Sequence, residues 1–353
     1  MKDGRRLVVE RFCETPLEAI DSAMKLEPMP PPDTSKLGAR DVVVAIEAAQ
    51  VGWVDLLMTS GQYQHLPKPP YVPGLEWAGT VAWKGDGVSD FALGDRVLVD
   101  GLLAGPRSLG AYQAYGGFAS YGVAPAEAVM RIPGELGFDQ ACSLLGNYET
   151  ALHCLDARGK LQQGETVLVL GASGATGLAA VHVAKLLGAT VIAAGRSEEK
   201  LAIVKAQGAD HVVTAGSMRD AVKAITNGQG VDVVYDGVGG AASLEALRCV
   251  KFGARFLIVG WASTPFVAKE KSPNQIPTNL VMMKGLDVLG CPTVIATVMN
   301  PALRPPRLAR LLAWAERGEI VPYVSKTYAL TDFQAAMRAK WAGEIVGCCT
   351  LRP

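Results

Sequence analysis

The chain has 353 residues and carries 34 Lys and Arg against 34 Asp and Glu, so its formal net charge is zero. This length allows two domains with cores of their own, and the neutral balance argues against nucleic acid or an anionic membrane as a partner. No apolar segment follows the charged N-terminus, no C-x-x-C motif occurs among the seven cysteines, and glycines and charges break the longest apolar stretch. We therefore expect a cytoplasmic protein with buried, reduced thiols, without a signal peptide or a membrane span.

Short strands separated by turn residues are predicted for the first 130 residues. The segments with strand character are Leu7–Glu10, Asp41–Ala49, Gly74–Val81, Gly94–Val99, Gly116–Tyr121 and Ala126–Ile132. Pro28–Pro32 is expected to be a stiff surface connection, and Gly101–Ala114 an inserted loop. Many short strands with turns between them indicate a small barrel.

A helix over Gln140–Asp156 is predicted to lead into a strand, a glycine turn and a second helix. Thr166–Leu170 is an apolar run with the length of a buried parallel strand, and Leu178–Leu187 has helical periodicity that ends at Gly188. Glycines between a strand and a helix let the backbone approach a pyrophosphate at the helix N-terminus. The sequence therefore predicts a dinucleotide site formed by Gly171, Ser173, Gly174, Ala175, Thr176 and Gly177.

The residues after the next strand, Thr190–Ala194, indicate which dinucleotide binds. Folds that prefer NAD usually have Asp or Glu at this point, to hold the ribose 2′-hydroxyl. This chain instead has Gly195, Arg196 and Ser197, with Lys200 one turn further on. An arginine binds a 2′-phosphate well, so we predict NADPH as the cofactor. The alternative is that Arg196 and Lys200 form only a solvated basic edge.

Strand and helix patterns alternate up to about Gly290. They comprise the strand Val231–Asp236, the helix Ala242–Lys251 and the strands Ala254–Gly260 and Leu286–Gly290. The helix Arg307–Arg317, a capping box at Thr331 and Gln334, and a final strand Ile345–Leu351 follow. We expect an α/β protein in which a doubly wound Rossmann domain, residues 146–317, is inserted into a discontinuous catalytic domain, residues 1–145 and 318–353.

Motifs along nearly the whole chain carry a family resemblance. They are Val51–Tyr63, Pro70–Val81, Phe91–Val97, Gly116–Tyr121, the glycine turn with GRSEEK, Val231–Gly240 and Gly318–Leu330. In these motifs the chain resembles the medium-chain dehydrogenase/reductase superfamily, and within it the zinc-independent quinone oxidoreductases similar to zeta-crystallin. The resemblance implies a GroES-like β-barrel catalytic domain, NADPH in the cleft between the barrel and the Rossmann domain, and a homodimer formed near Leu286–Gly290.

The zinc ligands of the superfamily's alcohol dehydrogenases are missing. Where those enzymes have a Cys, the region Gln50–Gly52 has none, and Leu75 stands where their G-H-E motif has its His. The segment Asp100–Tyr115 also lacks the four cysteines of the structural zinc site. We therefore expect no metal. Hydride acceptors that need no Lewis acid, namely quinones and α,β-unsaturated carbonyls, are the predicted substrates.

The resemblance also assigns residues to the substrate and to the nicotinamide. Tyr63 and Trp53 are the predicted catalytic-site residues, with Tyr63 facing the substrate as a possible proton donor; packing in a proline-rich turn or in the core is the alternative. The residues expected near the cofactor are Thr150, Val238, Gly239, Gly260, Trp261, Ala262 and Asn279. A helix cap is the alternative role for Asn279.

Three positions depart from the family pattern. Gly52 replaces an asparagine that neighbours cofactor and substrate, Ala215 replaces a tyrosine, and Glu344 replaces a basic residue. The loss of the asparagine leaves open a non-catalytic NADPH-binding protein, either a sensor or a crystallin-like protein. A zinc-type alcohol dehydrogenase is the remaining alternative to an NADPH-dependent reductase of quinones or enones.

Overall fold

A computed structural model describes residues 1–108, 110–263 and 274–353. The chain divides into one unit made of Met1–Gly146 with Ala315–Pro353, and a second unit made of Asn147–Trp314. None of the helices in the described ranges has both the length and the apolar character needed to cross a membrane.

The first unit begins with strands and short helices. In chain order they are β1 (Gly4–Val9), α1 (Pro16–Ser22), β2 (Met24–Met29), β3 (Asp41–Gln50), α2 (Trp53–Thr59), β4 (Trp77–Lys84), β5 (Arg96–Val99), β6 (Tyr121–Pro125), β7 (Val129–Arg131) and α3 (Phe138–Ala141). Helix α4 (Leu145–Leu152) continues as a π-helical segment, His153–Arg158.

The second unit alternates strands and helices. Its elements are β8 (Thr166–Leu170), α5 (Ala175–Leu186), β9 (Thr190–Gly195), α6 (Glu198–Ala206), β10 (His211–Thr214), α7 (Met218–Ile225), β11 (Val231–Asp236), α8 (Gly240–Ala246), β12 (Val250–Ile258), α9 (Thr278–Lys284), β13 (Asp287–Gly290), α10 (Thr293–Met299) and α11 (Arg304–Glu316). The chain then completes the first unit with β14 (Val324–Ala329), α12 (Phe333–Trp341) and β15 (Cys348–Arg352).

The first unit contains a mainly antiparallel sheet of seven strands. Its order is β14-β15-β3-β4-β5-β7, with β6 also paired to β3, and β1 and β2 form a separate hairpin-like pair. Trp77 and Phe118 are fully buried at the centre of its core. Branched and aromatic side chains alternate with turns in this part of the sequence, which is why it forms short strands around one apolar interior.

The second unit contains a parallel sheet of six strands in the order β10-β9-β8-β11-β12-β13. This is the doubly wound strand order. Such sheets bind dinucleotides at their carboxyl edge, at the switch point between the neighbouring strands β8 and β11, where the strand order reverses. The central strands are buried on both faces, because helices cover them, and they read as continuous apolar runs. The predicted α/β fold with a Rossmann-type sheet is confirmed.

Several predicted elements differ from the structure. Helix α8 ends at Ala246, and Lys251 lies in β12, since Val250 pairs with Val231 and strand pairing outweighs helical periodicity. Gly116–Tyr121 is largely irregular, because the amides of Gly117 and Phe118 bond to the turn at Pro73 and Gly74. The region Gly101–Ala114 contains turns and a 3-10 helix, Ala111–Ala114, and Leu109 within it lies outside the described residues.

Two further local predictions were wrong. No capping box forms at Thr331, because Leu330–Asp332 is a 3-10 turn and α12 begins at Phe333. The Gln334 side chain instead donates to the carbonyl oxygen of Ile20, 3.1 Å away. Pro28 belongs to β2, and a strand with only one partner tolerates a residue without an amide N–H.

Candidate active site

The three glycines after β8 have different roles. Gly171 has a positive φ of 63°, a conformation that glycine adopts without strain. A Cβ on Gly177 would lie 2.3 Å from the carbonyl oxygen of Gly171 and 2.9 Å from Cα of Ala172. Gly177 is therefore required for the close packing of α5 against the end of β8.

Gly174 keeps the N-terminus of α5 accessible. It is the N-cap of this 12-residue helix, and a Cβ there would meet only the carbonyl oxygen of Gly171, at 3.4 Å. Ser173, Ala175 and Thr176 are half-buried beside it. The first turn of a helix offers amide N–H groups and a positive dipole end, so this turn fits a pyrophosphate.

The hydroxyl of Thr176 is held by a residue that sequence reasoning missed. Its Oγ1 donates to Oδ1 of Asn147, 3.2 Å away, and Asn147 is buried in α4. This contact fixes α4 against the first turn of α5. The signal in the sequence is a polar side chain inside an otherwise apolar helix, but its partner is 29 residues away.

Arg196 lies at the carboxyl end of β9. Gly195 ends that strand, and Arg196 is exposed and forms no ion pair within the described ranges. Ser197 caps α6 by accepting a hydrogen bond from the amide of Lys200 at 3.4 Å, which leaves its hydroxyl proton available to a ligand. Ala215 follows β10 and donates its N–H to the carbonyl oxygen of Gly195. The three predicted phosphate-binding side chains therefore share one corner of the sheet.

A buried carboxylate organises the end of β11. Asp236 is 3% exposed, and its Oδ1 accepts hydrogen bonds from the amides of Val238 and Gly239 at 2.9 and 3.0 Å. Its Oδ2 accepts from the Ser243 hydroxyl at the start of α8. Gly239 has a φ of 77°, which this tight turn requires. Sequence reasoning missed Asp236 as an organiser, although a carboxylate that ends an apolar strand is a signal for such a turn.

The end of β12 is joined to the same turn. The amide of Gly260 donates to the Asp236 carbonyl oxygen at 3.2 Å, and that of Ala262 donates to the Gly237 carbonyl oxygen at 3.2 Å. A Cβ on Gly171 would lie 2.8 Å from Cγ2 of Val238. The structure thus brings the predicted residues at the ends of β8, β11 and β12 together at one edge, where Trp261 is 49% exposed.

Helix α4 carries another predicted cofactor neighbour, Thr150, which is half-buried. The residue before it, Glu149, is buried. It accepts hydrogen bonds from two arginines of α11, Arg304 and Arg307, at 2.7 and 3.0 Å. The hydroxyl of Tyr148 lies 2.8 Å from Nδ1 of His182 on α5. These contacts hold α4 rigidly. Sequence reasoning did not find the arginine pair.

His153 follows in the π-helical segment and is buried. Burial and the neighbouring Arg307 guanidinium lower the pKa of His153 to about 4, so the imidazole is neutral at physiological pH. Asn279 is exposed in the first turn of α9, where Pro277 is the N-cap. The N-cap position that was the alternative for Asn279 is thus occupied by another residue.

Asp55 organises the predicted acceptor side in the first unit. Its carboxylate accepts amide hydrogen bonds from Gly52 (2.9 Å), Gly74 (3.2 Å) and Leu75 (3.0 Å). Burial raises the pKa of Asp55 to about 6, against the effect of these three amides and of the Arg107 guanidinium. One buried side chain therefore fixes both the start of α2 and the turn before β4.

The two predicted acceptor-side aromatic residues have different surroundings. Trp53 opens α2 and stacks on Trp341 at the end of α12, with ring centroids 5.0 Å apart and planes 4° apart. Both indoles are half-buried. Tyr63 is half-buried in the following loop, where its ring meets His65 edge-on at 6.2 Å. Trp341 was not predicted from the sequence.

Comparison with known proteins agrees with this geometry. Residues 38–134 match the family model of the alcohol dehydrogenase GroES-like domain, and residues 175–304 match that of the zinc-binding dehydrogenase. A quinone oxidoreductase-like protein 2 homolog of Nematostella vectensis is 34% identical over 321 residues, which are 89% of this chain and 83% of the relative. The chain belongs to the quinone oxidoreductase-like branch of the medium-chain dehydrogenase/reductase superfamily.

Solved structures of this superfamily have the same fold. A probable oxidoreductase from Mycobacterium abscessus is 28% identical, with a TM-score of 0.81 over 99% of both chains. A mycobacterial protein in complex with NADPH is 26% identical, with a TM-score of 0.79 over 99% of this chain and all of that one. The chain is therefore an oxidoreductase with a GroES-like domain and a Rossmann-type domain that binds a nicotinamide cofactor.

The structure also describes the positions compared above with the zinc ligands of the superfamily's alcohol dehydrogenases. Leu75 is 5% exposed and apolar, and Gln50 and Gly52 flank Val51 without a thiol. Within the described ranges no group of three His, Cys, Asp or Glu side chains is arranged to hold a metal ion. All seven cysteines are buried, as predicted, and none forms a disulfide with a described residue.

Proposed function

We propose that this oxidoreductase uses NADPH to reduce a quinone or an α,β-unsaturated carbonyl without a metal ion. The observation that carries the proposal is the exposed Arg196 at the carboxyl end of β9, beside the glycine turn. A guanidinium there complements a 2′-phosphate, whereas the ribose 2′-hydroxyl of NADH leaves it without a partner.

The second unit supplies a fitting cradle for the cofactor. The open N-terminus of α5 at Gly174 suits the pyrophosphate, and the turn held by Asp236 presents Val238 and Gly239 at the same edge. Bound NADPH supplies the hydride. The protein's part is to fix the dinucleotide on rigid backbone and to exclude water from the reacting atoms.

The acceptor class follows from the side chains around Asp55. Leu75 occupies the position at which zinc enzymes of the superfamily have a histidine, so no Lewis acid is available to polarise an alcohol or an isolated ketone. Quinones and enones delocalise the added charge onto an oxygen that a single donor or water satisfies. We assign the Trp53 indole, backed by Trp341, to contact a flat acceptor, and Tyr63 to line the same site.

Turnover with a panel of acceptors tests the proposed reaction. Purified protein is mixed with NADPH and, in separate assays, a naphthoquinone, an enone, an enoyl thioester and a simple ketone, and the loss of absorbance of NADPH is followed. We expect oxidation with at least one of the first three and none with the ketone. NADPH binding without turnover on any acceptor would instead support a non-catalytic NADPH-binding protein.

An arginine variant tests the choice of cofactor. Arg196→Ala should weaken NADPH binding by roughly 2 kcal/mol, because a charge-assisted hydrogen bond to the 2′-phosphate is lost. NADH binding should stay unchanged. Lys205→Ala, a cation near the end of α6, is the matched control. Equal weakening of both cofactors by Arg196→Ala would contradict the role in phosphate binding.

We also propose that two copies associate through β13. This strand is the edge of the parallel sheet, and Asp287, Val288 and Gly290 in it are exposed. Exposed apolar side chains precede and follow it: Met282, Met283, Val298 and Met299. An open strand edge flanked by apolar surface favours pairing with another copy. Light scattering should give twice the chain mass, and Val288→Lys should give the mass of one chain.

A further inference from the structure

A second cavity lies in the Rossmann-type unit, at the amino-terminal edge of its sheet. It has a volume of about 480 Å³. Its walls come from α7, from the loop before β11, from the start of β12 and from the end of α9. The glycine turn and Arg196 follow the carboxyl ends of the strands. Because all strands are parallel, the cavity lies at the edge opposite to the dinucleotide site.

The lining of this cavity is strongly cationic. Five of the ten residues around it are basic, and they are Arg219, Lys223, Arg248, Lys251 and Lys284. None of the described residues that line it is acidic. A cavity that gathers one sign of charge focuses its field and concentrates ligands of the opposite sign.

Two carboxylates of this unit already have partners of their own. Asp232 is paired with Lys251, and Glu245 accepts hydrogen bonds from the amides of Gly216 and Met218, at 2.9 and 2.7 Å, at the start of α7. In the part of the chain that the structure describes, Arg219, Lys223 and Arg248 have no ion-pair partner among the acidic side chains. Nζ of Lys284 donates to the carbonyl oxygen of Val250, 3.1 Å away.

The lining cations come from several elements around one cavity. Cys249, buried beside the cavity, has a thiol whose pKa rises to about 12 through burial and the Glu245 carboxylate. Lys284, Arg219 and Lys223, whose charges act against that rise, all line the cavity. Side chains from α7 and α9 therefore line the same cavity.

One apolar side chain completes the cavity. Phe252 lines it and is 80% exposed, although an aromatic ring of this size is usually buried. A Cβ on Gly285 would lie 3.0 Å from Cζ of its ring, so the ring lies against the backbone at the end of α9. An exposed ring beside phosphate-binding cations suits a ligand that carries both phosphates and a flat ring.

We infer that this cavity binds a small diphosphate-bearing ligand of the nucleoside diphosphate type. Four cations remain after Lys251 is paired, and a nucleoside diphosphate carries about three negative charges near neutral pH, so the site can balance the charge of such a ligand. The base then stacks on Phe252. The inference is independent of the proposed reductase reaction, because none of these residues belongs to the dinucleotide or acceptor side.

Calorimetric titration of the protein saturated with NADPH tests the inference, since NADPH then blocks the dinucleotide site. Pyrophosphate and ADP are the two probes, and adenosine is the control for the base alone. We expect one additional site per chain, with ADP binding more tightly than pyrophosphate and both weakening steeply as salt is added. No binding of either probe, or ADP binding that disappears as NADPH is raised, would overturn the inference.

Three variants distinguish binding in the cavity from attraction by cations elsewhere on the surface. Arg219→Ala with Lys223→Ala should weaken pyrophosphate at least about tenfold, whereas Lys36→Ala with Arg317→Ala, two exposed cations of the first unit, should not. Phe252→Ala should remove only the advantage of ADP over pyrophosphate. Circular dichroism confirms that each variant is folded. Unchanged pyrophosphate binding in the first variant would refute the site, and unchanged preference for ADP in Phe252→Ala would refute the role of the ring.

Discussion

Asp55 and Leu75 are joined by a hydrogen bond in which the Leu75 amide donates to the Asp55 carboxylate at 3.0 Å. The same buried carboxylate holds Gly52, the N-cap of α2. Twenty residues of chain separate the two partners, yet one side chain sets the position of both. A polar group that is itself buried therefore holds both Gly52 and Leu75 in place.

The pKa of Asp55 predicts a specific pH dependence of stability. The pKa is raised from 3.8 to about 6, so the folded protein binds this proton more tightly than the unfolded chain. The resulting stabilisation is complete below about pH 4 and is lost as pH rises through about 6, a change on the order of 3 kcal/mol. Asp55→Asn should lack that component of the pH dependence.

Urea unfolding of wild type and Asp55→Asn across this range, followed by tryptophan fluorescence, is the measurement. Asp55→Asn should also be less stable than wild type at low pH by about 1–3 kcal/mol, because an amide nitrogen facing the Gly52 N–H leaves a donor unsatisfied. If the free energy of unfolding of wild type and of the variant changes in parallel from about pH 4 to 7, the raised pKa of Asp55 is contradicted.

Gly174 and Gly177 should respond differently to the same substitution. Gly174→Ala meets no close atom, so it should cost under about 1 kcal/mol of stability and weaken NADPH binding by occupying the approach to the helix N-terminus. Gly177→Ala forces a Cβ against backbone atoms and should lower stability by about 3 kcal/mol. Thermal unfolding and NADPH titration of both variants check this. Equal stability losses would argue against the assigned roles.

Glu149 should be a major contributor to the stability of the second unit. Its side chain is 7% exposed and pairs with two guanidiniums, that of the half-buried Arg304 and that of the buried Arg307. Glu149→Gln removes the negative charge that both guanidiniums contact and should cost about 3–5 kcal/mol. The control is Asp156→Asn, which breaks an exposed pair with Arg310 and should cost less than about 1 kcal/mol. Similar costs in urea unfolding would contradict the difference.

The central strands of the second unit were predictable because their environment leaves a local signal. Thr166–Leu170 and Val231–Asp236 match the structure to the residue, since strands buried on both faces read as uninterrupted apolar runs. The glycine turn was predictable for a similar reason, because backbone geometry restricts it to one residue type. Arg196 was identified by its position after the second strand.

Long-range side-chain partners could not be read from the sequence. Trp53 and Trp341 stack although nearly the whole chain separates them, and no local pattern marks either as the partner of the other. The same applies to Glu149 and the arginines of α11. Thr331 and Gln334 have the spacing of a capping box, yet Gln334 bonds to Ile20 on α1, so a tertiary contact replaced a local one.

The central claim is NADPH-dependent reduction without a metal ion. Its most direct test is the steady-state rate of NADPH oxidation with the best quinone or enone acceptor, before and after exhaustive dialysis against a chelator, with the zinc content measured on the same samples. We predict an unchanged rate at less than about one zinc per ten chains, since Leu75 provides no ligand. A rate that is lost on chelation and restored by added zinc would contradict the account.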